Sequence, residues 1–336
     1  MATSTGLILG KFMPVHAGHR YLIDAARARV DRLTVVVCTL EREPIPGDLR
    51  YGWMKSLYPD VNVVHLTDEL PQEPHEHPDF WALWTAALKH VHPEPISTVF
   101  GSEDYVLPLA SCLDAAPIVV DRDREHVPIS ATMIRADPMV NWDYIPPPVR
   151  PYFVRRVCIL GTESTGKTTL AATLAAHYNT VWAPEYARAY IDEEVGAVAS
   201  LSVENFEQIV RGQWAGEERL AREANRVLIS DTDIITTMVY AYAFLGTCPD
   251  WIVQAAAMPR YDLYLLTTPD VPWVWEDQRT FGHRRAEMQA RFAAALDERA
   301  IPYTLISGDW AVRERTAIAA IEGLLSGHVP GARTRH

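Results

Sequence analysis

The sequence predicts an α/β protein made of two doubly wound parallel-sheet domains. In each half, β-branched runs alternate with helical stretches, and each half opens on a strand–loop–helix layout of the kind that holds phosphate. A proline-rich segment separates the halves. At 336 residues the chain can build two domains that each bury a core. The predicted domains are 1–146 and 156–327, with a linker at 147–155 and a flexible tail at 328–336.

Five strands and two helices are predicted in the first half. The strands are short apolar runs, typical of a parallel sheet buried on both faces, at 6–10, 32–39, 61–66, 97–102 and 116–121. Apolar residues recur at three-to-four spacing in 19–30 and 80–91, which predicts crossover helices. Three consecutive prolines at 146–148 cannot continue a helix or a central strand, and they locate the linker.

The second half restarts this alternation. Its predicted strands are 156–161, 180–185, 226–231, 262–267 and 302–307. Its predicted helices are 167–178, 203–224, 235–245, 287–300 and 313–325.

Composition and charge exclude several classes of protein. Hydrophobic residues make up 48% of the chain and charged residues 22%, as is typical of soluble globular proteins. A net charge of −12 argues against nucleic-acid or membrane binding, so an anionic ligand must be held by loop amides, helix N-termini and a few cations. The four cysteines include no CxxC pair, which indicates reduced thiols. With no signal peptide or membrane-spanning run in the sequence, we expect a cytoplasmic protein.

Residues 161–168, GTESTGKT, fit the phosphate-loop pattern G-x-x-x-x-G-K-[ST] at every fixed position. The two glycines let the backbone turn its N–H groups toward phosphates, Lys167 reaches the β- and γ-phosphates, and the Thr168 hydroxyl is a ligand for Mg²⁺. A mere glycine-rich turn is disfavoured because a strand and a helix flank the motif. The predicted ATP-binding residues here are Gly161, Thr162, Glu163, Ser164, Thr165, Gly166, Thr168 and Thr169, with Lys167 catalytic.

Two carboxylates downstream supply further parts of a phosphotransferase. Asp231 ends a predicted strand, where it could hold Mg²⁺, whereas Asp233 is the better N-cap of the next helix. Glu185 ends another strand at the carboxyl edge of the sheet, where ligands of open α/β folds bind. It could accept the proton of an attacking hydroxyl or bind a ribose, and a surface ion pair with Arg188 is the alternative.

The segment 272–285, PWVWEDQRTFGHRR, is basic in an otherwise acidic chain. It could close over ATP, with Arg279 and Arg284 neutralising the transferred charge, and a solvated loop is the alternative. We call it the lid segment. Together these parts predict a kinase that acts on a small alcohol.

Residues 10–19, GKFMPVHAGH, are predicted to form a second phosphate-binding loop, whose chemistry differs from that of the loop at 161–168. We call these two loops the phosphate cradles. His16 and His19 are three residues apart at a helix N-terminus, so both imidazoles can lie beside the free N–H groups of the first turn. Two imidazoles and a helix dipole make a donor cluster for phosphate charge. A metal site is the poorer alternative because no third ligand lies nearby in the sequence.

Two motifs in the first half resemble a known superfamily. GKFMPVHAGH resembles the G-x-F-x-P-x-H-x-G-H signature of the nucleotidyltransferases related to class I aminoacyl-tRNA synthetases, and ISATMIR at 129–135 resembles their I-S-x-T-x-I-R signature. The resemblance implies that 129–135 opens a helix whose N-terminus and arginine hold the β- and γ-phosphates. The predicted residues are Lys11, His16, His19 and Arg135 for catalysis, and Gly10, Phe12, Gly18, Ser130 and Thr132 for ATP binding.

The combination of this half with a phosphate-loop half resembles the bifunctional NadR-type family, a nicotinamide-nucleotide adenylyltransferase fused to a ribosylnicotinamide kinase. GSEDY (101–105), PEYARAY (184–190) and SDTD (230–233) fall in the order of that family. The resemblance implies a Rossmann-like nucleotidyltransferase followed by a P-loop kinase. It implies phosphorylation of nicotinamide riboside to NMN, then adenylyl transfer from a second ATP to give NAD and pyrophosphate. Some relatives begin with a DNA-binding helix-turn-helix, and a first strand at residue 6 leaves no room for one, so we expect no repressor role.

Aromatic side chains are candidates for binding the pyridinium ring, a cation with a π face. In the second half these are Trp182 and Tyr186, with Arg188 as a further substrate-binding candidate. In the first half they are Trp81 and Trp84, although a tryptophan pair at i, i+3 on a helix is more often core packing.

Two other interpretations stay open. A phosphopantetheine adenylyltransferase joined to a dephospho-coenzyme A kinase has the same two parts, but the positions of ISATMIR and of PEYARAY and SDTD disfavour it. A nucleotide-sensing regulator with a decayed half is disfavoured by the intact Lys167, Thr168, His16 and His19. The expected ligands are ATP as co-substrate, Mg²⁺, nicotinamide riboside, NMN and NAD. The sequence does not fix whether the chain forms a homo-oligomer.

Overall fold

The structure, a computed structural model, describes residues 3–258 and 260–327. The chain divides between Arg150 and Pro151 into two compact units, inside the segment 147–155 that the sequence predicts as a linker. Each unit contains a five-stranded sheet whose paired strands are parallel, as predicted. The predicted tail 328–336 lies outside the described residues. Within the described ranges no helix is both long and apolar enough to cross a bilayer.

The first unit is a doubly wound sheet with strand order β3-β2-β1-β4-β5. Its elements are β1 (Thr5–Gly10), α1 (Ala17–Arg27), β2 (Arg32–Cys38), α2 (Gly47–Leu57), β3 (Asn62–Leu66), α3 (Phe80–Val91), β4 (Thr98–Gly101), α4 (Val106–Cys112), β5 (Ala116–Val119) and α5 (Ala131–Ala136). The chain first adds strands on one side of β1 and then on the other. The carboxyl end of β1 therefore lies at the switch point, where ligands of open α/β sheets bind.

The second unit has strand order β10-β9-β6-β8-β7. Its elements are β6 (Arg155–Leu160), α6 (Lys167–His177), β7 (Trp182–Ala183), α7 (Tyr186–Tyr190), α8 (Val203–Leu220), β8 (Val227–Asp231), α9 (Ile234–Leu245), α10 (Asp250–Ala256), β9 (Leu263–Thr267), α11 (Arg285–Asp297), β10 (Tyr303–Ile306) and α12 (Trp310–Leu325). The central strand β6 runs directly into the phosphate loop at 161–166. That loop opens α6.

Helices cover both faces of the second sheet. Because side chains alternate along a strand, Val157 and Ile159 of β6 pack with α6 and α12 on one face. Cys158 and Leu160 pack with α8, α9 and α11 on the other face. Near-complete burial of these four side chains confirms the prediction of a strand buried on both sides.

All ten predicted strands are present in the described residues, and the differences concern lengths and short helices. The strand predicted at 180–185 shortens to two residues, since only Trp182 and Ala183 pair with β8 and Pro184 offers no N–H for a ladder. The short helices α2, α4, α7 and α10 were not predicted. Because each spans three turns or fewer, the apolar periodicity that reveals longer helices is weak in them.

Candidate active sites

The phosphate loop of the second unit has a shape that only glycine permits at two positions. Gly161 has φ of +141° and Gly166 has φ of +81°, in the region that side chains avoid. A Cβ atom on Gly161 would lie 2.5 Å from Thr267 Oγ1, and one on Gly166 would lie 2.1 Å from the indole of Trp310. A buried hydrogen bond joins the loop to β9, because the Thr165 hydroxyl lies 2.7 Å from Thr267 Oγ1.

The end of this loop gathers a lysine, a hydroxyl and a carboxylate. The buried Lys167 Nζ donates to Thr162 O over 3.1 Å. The Thr168 hydroxyl donates to Asp231 Oδ2 over 2.5 Å, while the buried Asp231 Oδ1 has no hydrogen-bond partner among the described residues. Burial, followed by the negative charge of Glu185, raises the pKa of Asp231 to about 6. Hydroxyl and carboxylate oxygens side by side are ligands that Mg²⁺ accepts, and the unpartnered oxygen fits that use.

A cavity adjoins Lys167 in the second unit. Its charged lining includes Lys167, Glu185, Arg188 and Arg279. Its apolar wall is formed by Phe206, Ile209, Tyr240 and Phe244. Glu185 pairs with Arg188 over 3.0 Å, so the alternative ion pair is present, and Glu185 faces the cavity as well.

The lid segment is attached to the phosphate loop by hydrogen bonds. The Glu163 carboxylate accepts the N–H groups of Thr280 and Phe281 at 3.3 and 3.0 Å. The Ser164 hydroxyl accepts the N–H of Val274 at 2.9 Å, and Arg285 donates to Ser164 O at 3.1 Å. Glu163 and Ser164, which the sequence predicts to bind ATP, therefore connect the lid segment to the loop through their side chains.

An indole covers the other side of the phosphate loop. Trp310, the first residue of α12, is half exposed and lies against Gly166. The buried Arg313 fixes this corner, since its guanidinium donates to Thr165 O at 3.1 Å and to Gly308 O at 2.8 Å and pairs with Asp270. The sequence analysis did not single out Trp310, because its proximity to the loop arises only from folding.

Residues 10–19 of the first unit, which we call the histidine loop, run into the start of α1. His16 is the N-cap, its Nδ1 accepting the N–H of Gly18 at 3.1 Å, and His19 Nδ1 accepts the N–H of His16 at 3.3 Å. The two rings stack with centroids 3.7 Å apart. Since each Nδ1 accepts a backbone hydrogen bond, the hydrogen bonds assign the proton of each neutral ring to Nε2.

Both imidazoles are neutral near pH 7. Burial, with the charge of Arg124 adding to it, lowers the pKa of His16 to about 4. Burial likewise lowers the pKa of His19, and the neighbouring His16 and Arg124 lower it further. The pair is therefore a set of two neutral N–H donors.

A buried ion pair holds the backbone and the lysine of this loop. Glu43 pairs with Lys11 Nζ at 3.1 Å and with Arg50 Nη2 at 2.6 Å. The fully buried Arg50 also donates to Lys11 O at 2.8 Å. Neither Glu43 nor Arg50 was predicted, because each lies far along the sequence from the motif that it supports.

The second signature of the first unit reaches back to the histidine loop. Ser130 caps α5, its hydroxyl accepting the N–H of Met133 at 3.2 Å. Arg135 donates to Met13 O in the histidine loop and to Thr132 Oγ1. Fold geometry thus brings the two motifs together although 110 residues or more separate them.

A cleft of about 810 Å³ opens beside these groups in the first unit. Its lining includes Gly10, Lys11, Phe12, His19, Trp81, Trp84, Ser102, Glu103, Asp104, Tyr105 and Arg135. Trp84 also belongs to the apolar core of the unit and donates its indole N–H to Pro71 O at 2.8 Å. Predicted residues outside the lining are Ser130, Thr132, Gly18 and His16. Ser130 and His16 are helix N-caps, Thr132 accepts from Arg135, and the N–H of Gly18 donates to His16.

Comparisons with known proteins identify the family. The chain is 30% identical over 322 residues to the trifunctional NAD biosynthesis/regulator protein NadR of Escherichia coli (strain K12), covering 90% of this chain and 78% of that protein. It is 31% identical over 297 residues to the protein of the same name from Salmonella typhimurium, covering 82% of this chain and 72% of that one. The chain belongs to the NadR family. This finding confirms the resemblance inferred from the motifs.

Solved structures of NadR proteins share the fold. A crystal structure of a NadR protein in complex with NAD and AMP-PNP matches 100% of this chain and 99% of that chain, with a TM-score of 0.81 at 24% identity. One in complex with NR matches 99% of each chain with the same TM-score and identity. A family described as an AAA domain matches residues 156–313, the part of this NadR-family chain that carries the phosphate loop.

The structure places three predicted binding residues of the second unit of this NadR-family chain outside the cavity lining. Trp182 packs on the sheet face covered by α6 and α12. The ring of Tyr186 lies against Gly212 of α8. Arg284 pairs with Glu287. For Trp182 and Tyr186, the periodicity of strand and helix fixes the direction of the side chain, and nearness to Glu185 in the sequence does not reveal it.

Proposed function

We propose that this chain is a bifunctional enzyme of NAD biosynthesis. The second unit phosphorylates nicotinamide riboside to NMN, and the first transfers the adenylyl group of ATP to NMN, giving NAD and pyrophosphate. The observation that carries the proposal is the presence of two differently built phosphate cradles in one NadR-family chain: a stacked pair of neutral imidazoles, of which His19 lines a cleft with Arg135, and a glycine loop with Lys167. The names of similar proteins, which include NAD biosynthesis and complexes with NAD, AMP-PNP and NR, support it.

In the second unit the 5′-oxygen of nicotinamide riboside attacks the γ-phosphorus of ATP. A bond forms between these atoms, the bond to the β–γ bridging oxygen breaks, and the hydroxyl proton passes to Glu185. Lys167 and Arg279 line the cavity and stabilise charge on the transferred group. Thr168 and Asp231 would hold Mg²⁺, which when bound neutralises charge on the β- and γ-phosphates.

The adenine of this ATP stacks on Trp310. Half of the indole is exposed, and it lies against Gly166 within the loop that binds the phosphates. Arg313, which is fixed by its bonds to Thr165 O and Gly308 O, lies 5.8 Å from the centroid of the indole and packs beside it. Every nucleobase has a π face, so this contact favours a nucleotide over bare polyphosphate.

In the first unit the phosphate of NMN attacks the α-phosphorus of a second ATP. The nucleophile is already anionic and needs no general base, so the site has to orient two anions and stabilise charge. The Nε2–H group of His19 and the cations of Lys11 and Arg135 line the cleft and are donors suited to that charge, and His16 supports His19 by stacking on it. A bond forms from the NMN oxygen to the α-phosphorus while the bond to the α–β bridging oxygen breaks and pyrophosphate leaves.

The two reactions cut ATP at different bridges, which explains the two cradles. The direct experiment incubates the purified protein with nicotinamide riboside, ATP and Mg²⁺ and identifies the products by mass. We expect NMN, NAD, ADP and pyrophosphate. Parallel incubations with phosphopantetheine and dephospho-coenzyme A should give no product, and turnover of either instead of the riboside would overturn the proposal.

A further inference from the structure

The short helix that follows Glu185 is docked on α8 by three contacts. The ring of Tyr186 lies against Gly212, where a Cβ atom would come within 2.1 Å of it. The N–H of Tyr186 donates to Gln213 Oε1 at 2.9 Å, and the Tyr190 hydroxyl accepts from Asn205 Nδ2 at 3.1 Å. Because α7 has only five residues and continues into a short π-helix, Ile191–Val195, its position depends on packing against α8 and on the bonds of Arg188 to the lid segment.

The central contact, Gln213, is itself held by a buried carboxylate. Gln213 Nε2 donates to Glu217 Oε1 at 3.0 Å, and the Tyr261 hydroxyl donates to the same oxygen at 2.7 Å. The Glu217 side chain is completely buried and Gln213 nearly so. Turning the amide over would set its oxygen against the carboxylate and its N–H₂ against the N–H of Tyr186, so Glu217 fixes which end of Gln213 faces α7.

We infer that Glu217 is a positioning residue for phosphoryl transfer, acting through Gln213 on the start of α7 and so on the carboxylate of Glu185. The inference rests on the proposed kinase function of the second unit. Glu185 is the N-cap of α7, yet its side chain makes no capping hydrogen bond, and its partner Arg188 lies on the same short helix. Glu185 and Arg188 therefore move with α7.

The cation that pairs with Glu217 lies beside its Oε2 atom, so Oε1 can accept the hydrogen bonds of Gln213 and Tyr261. The Oε2 atom lies 3.8 Å from Arg156 Nη1, and Arg156 also pairs with Glu218 at 3.0 Å. Arg260 pairs with Glu218 as well. We call the series of hydrogen bonds from Glu217 through Gln213 to the N–H of Tyr186 the relay. A neutral replacement of Glu217 leaves Arg156 with Glu218 as a carboxylate partner, so the relay can be broken without leaving a buried cation unpaired.

The first test compares Glu217→Met with Glu217→Gln. Glutamine can keep an acceptor oxygen toward Gln213 and Tyr261, whereas methionine has a similar volume and no acceptor. For Glu217→Met we expect kcat of riboside phosphorylation to fall tenfold or more, as expected when a reacting group is misplaced by about an ångström. KM for ATP should change less than about twofold, and Glu217→Gln should restore kcat to within about threefold of the parent.

Two further variants keep the inference falsifiable if Glu217→Met fails to fold. Gln213→Met removes the hydrogen-bonded link between Glu217 and α7 and retains Glu217, and Gly212→Ala displaces the ring of Tyr186, and with it the start of α7, while Gln213 and Glu217 are retained. Both should lower kcat in the same way. Conversion of NMN to NAD by the first unit is the internal control and should be unchanged in every variant.

Several outcomes would overturn the inference. One is full kcat in folded Glu217→Met or Gln213→Met, and another is a loss in Glu217→Gln equal to that in Glu217→Met. A third is a raised KM for the riboside with kcat unchanged in Gln213→Met, which would mean that Gln213 binds substrate directly. If the parent protein makes no NMN from the riboside, the proposed kinase function itself fails, and that result is distinct from all three.

Discussion

The loops at 10–19 and 161–168 both join a central strand to a helix, yet they present different groups to an anion. The first offers side chains: the Nδ1 atoms of His16 and His19 cap the helix, and the Nε2–H group of His19, which lines the cleft, remains for a ligand. The second offers backbone N–H groups in a turn that only glycine permits, with Lys167 at its end. The comparison teaches that the same strand–loop–helix layout can present an anion with side-chain donors in one unit and with backbone N–H groups in the other.

The largest expected effect tests the independence of the two cradles. Lys167→Ala should lower kcat of riboside phosphorylation roughly a thousandfold or more, because a desolvated cation on the transferred phosphoryl group is lost. Conversion of NMN to NAD should stay at the parental rate. Both activities are measured by product chromatography, with the exposed Lys89→Ala as control, and loss of both in folded Lys167→Ala protein would contradict independent cradles.

The converse variant is His19→Ala. Removing one neutral donor should cost about 3 kcal/mol in adenylyl transfer, roughly a hundredfold in kcat/KM for NMN. Riboside phosphorylation should be unaffected, and the exposed His90→Ala is the matched control. An unchanged rate of NAD formation would show that the imidazoles are only structural caps of α1.

A smaller effect is expected at the nucleobase. Trp310→Ala should raise KM for ATP in the kinase reaction about tenfold, since stacking on an aromatic is worth ~1–2 kcal/mol. Trp310→Phe should retain most of the affinity, and binding of inorganic tripolyphosphate, measured by calorimetry, should not change. Equal weakening of ATP and tripolyphosphate would mean that the substitution disturbs the loop around Gly166 instead.

A further effect, on stability and not on rate, separates the cradles by their response to acid. The pKa of His16 is lowered to about 4 from an unfolded value near 6.5, so the unfolded chain binds more protons between those values and stability falls as the pH drops through this window. His16→Asn keeps an N-cap acceptor and does not titrate there. The parent should therefore lose on the order of 3 kcal/mol relative to His16→Asn between pH 6.5 and 4. Parallel unfolding curves for the two proteins across this range would contradict the neutral-donor assignment.

The sequence predicted the strands and the phosphate loops well because their signals are local. A strand reveals itself by a buried run of residues, and the loop at 161–168 by glycines at fixed spacing. It could not predict Glu43 and Arg50 beneath Lys11, or Gln213 and Glu217 behind Glu185, since those contacts join distant parts of the chain. The sequence also could not show that Trp182 and Tyr186 lie outside the cavity lining, because proximity to Glu185 in sequence does not fix which way a side chain points.

One measurement tests the central claim that the two cradles cut ATP at different bridges. The protein is incubated with nicotinamide riboside, Mg²⁺ and ATP labelled with ³²P at either the α- or the γ-phosphorus, and the NAD formed is isolated. We predict that each label enters NAD in equal amount, the γ-phosphorus through NMN and the α-phosphorus through the adenylyl group. NAD that carries only one of the two labels, or a γ-label found only in pyrophosphate, would contradict the account.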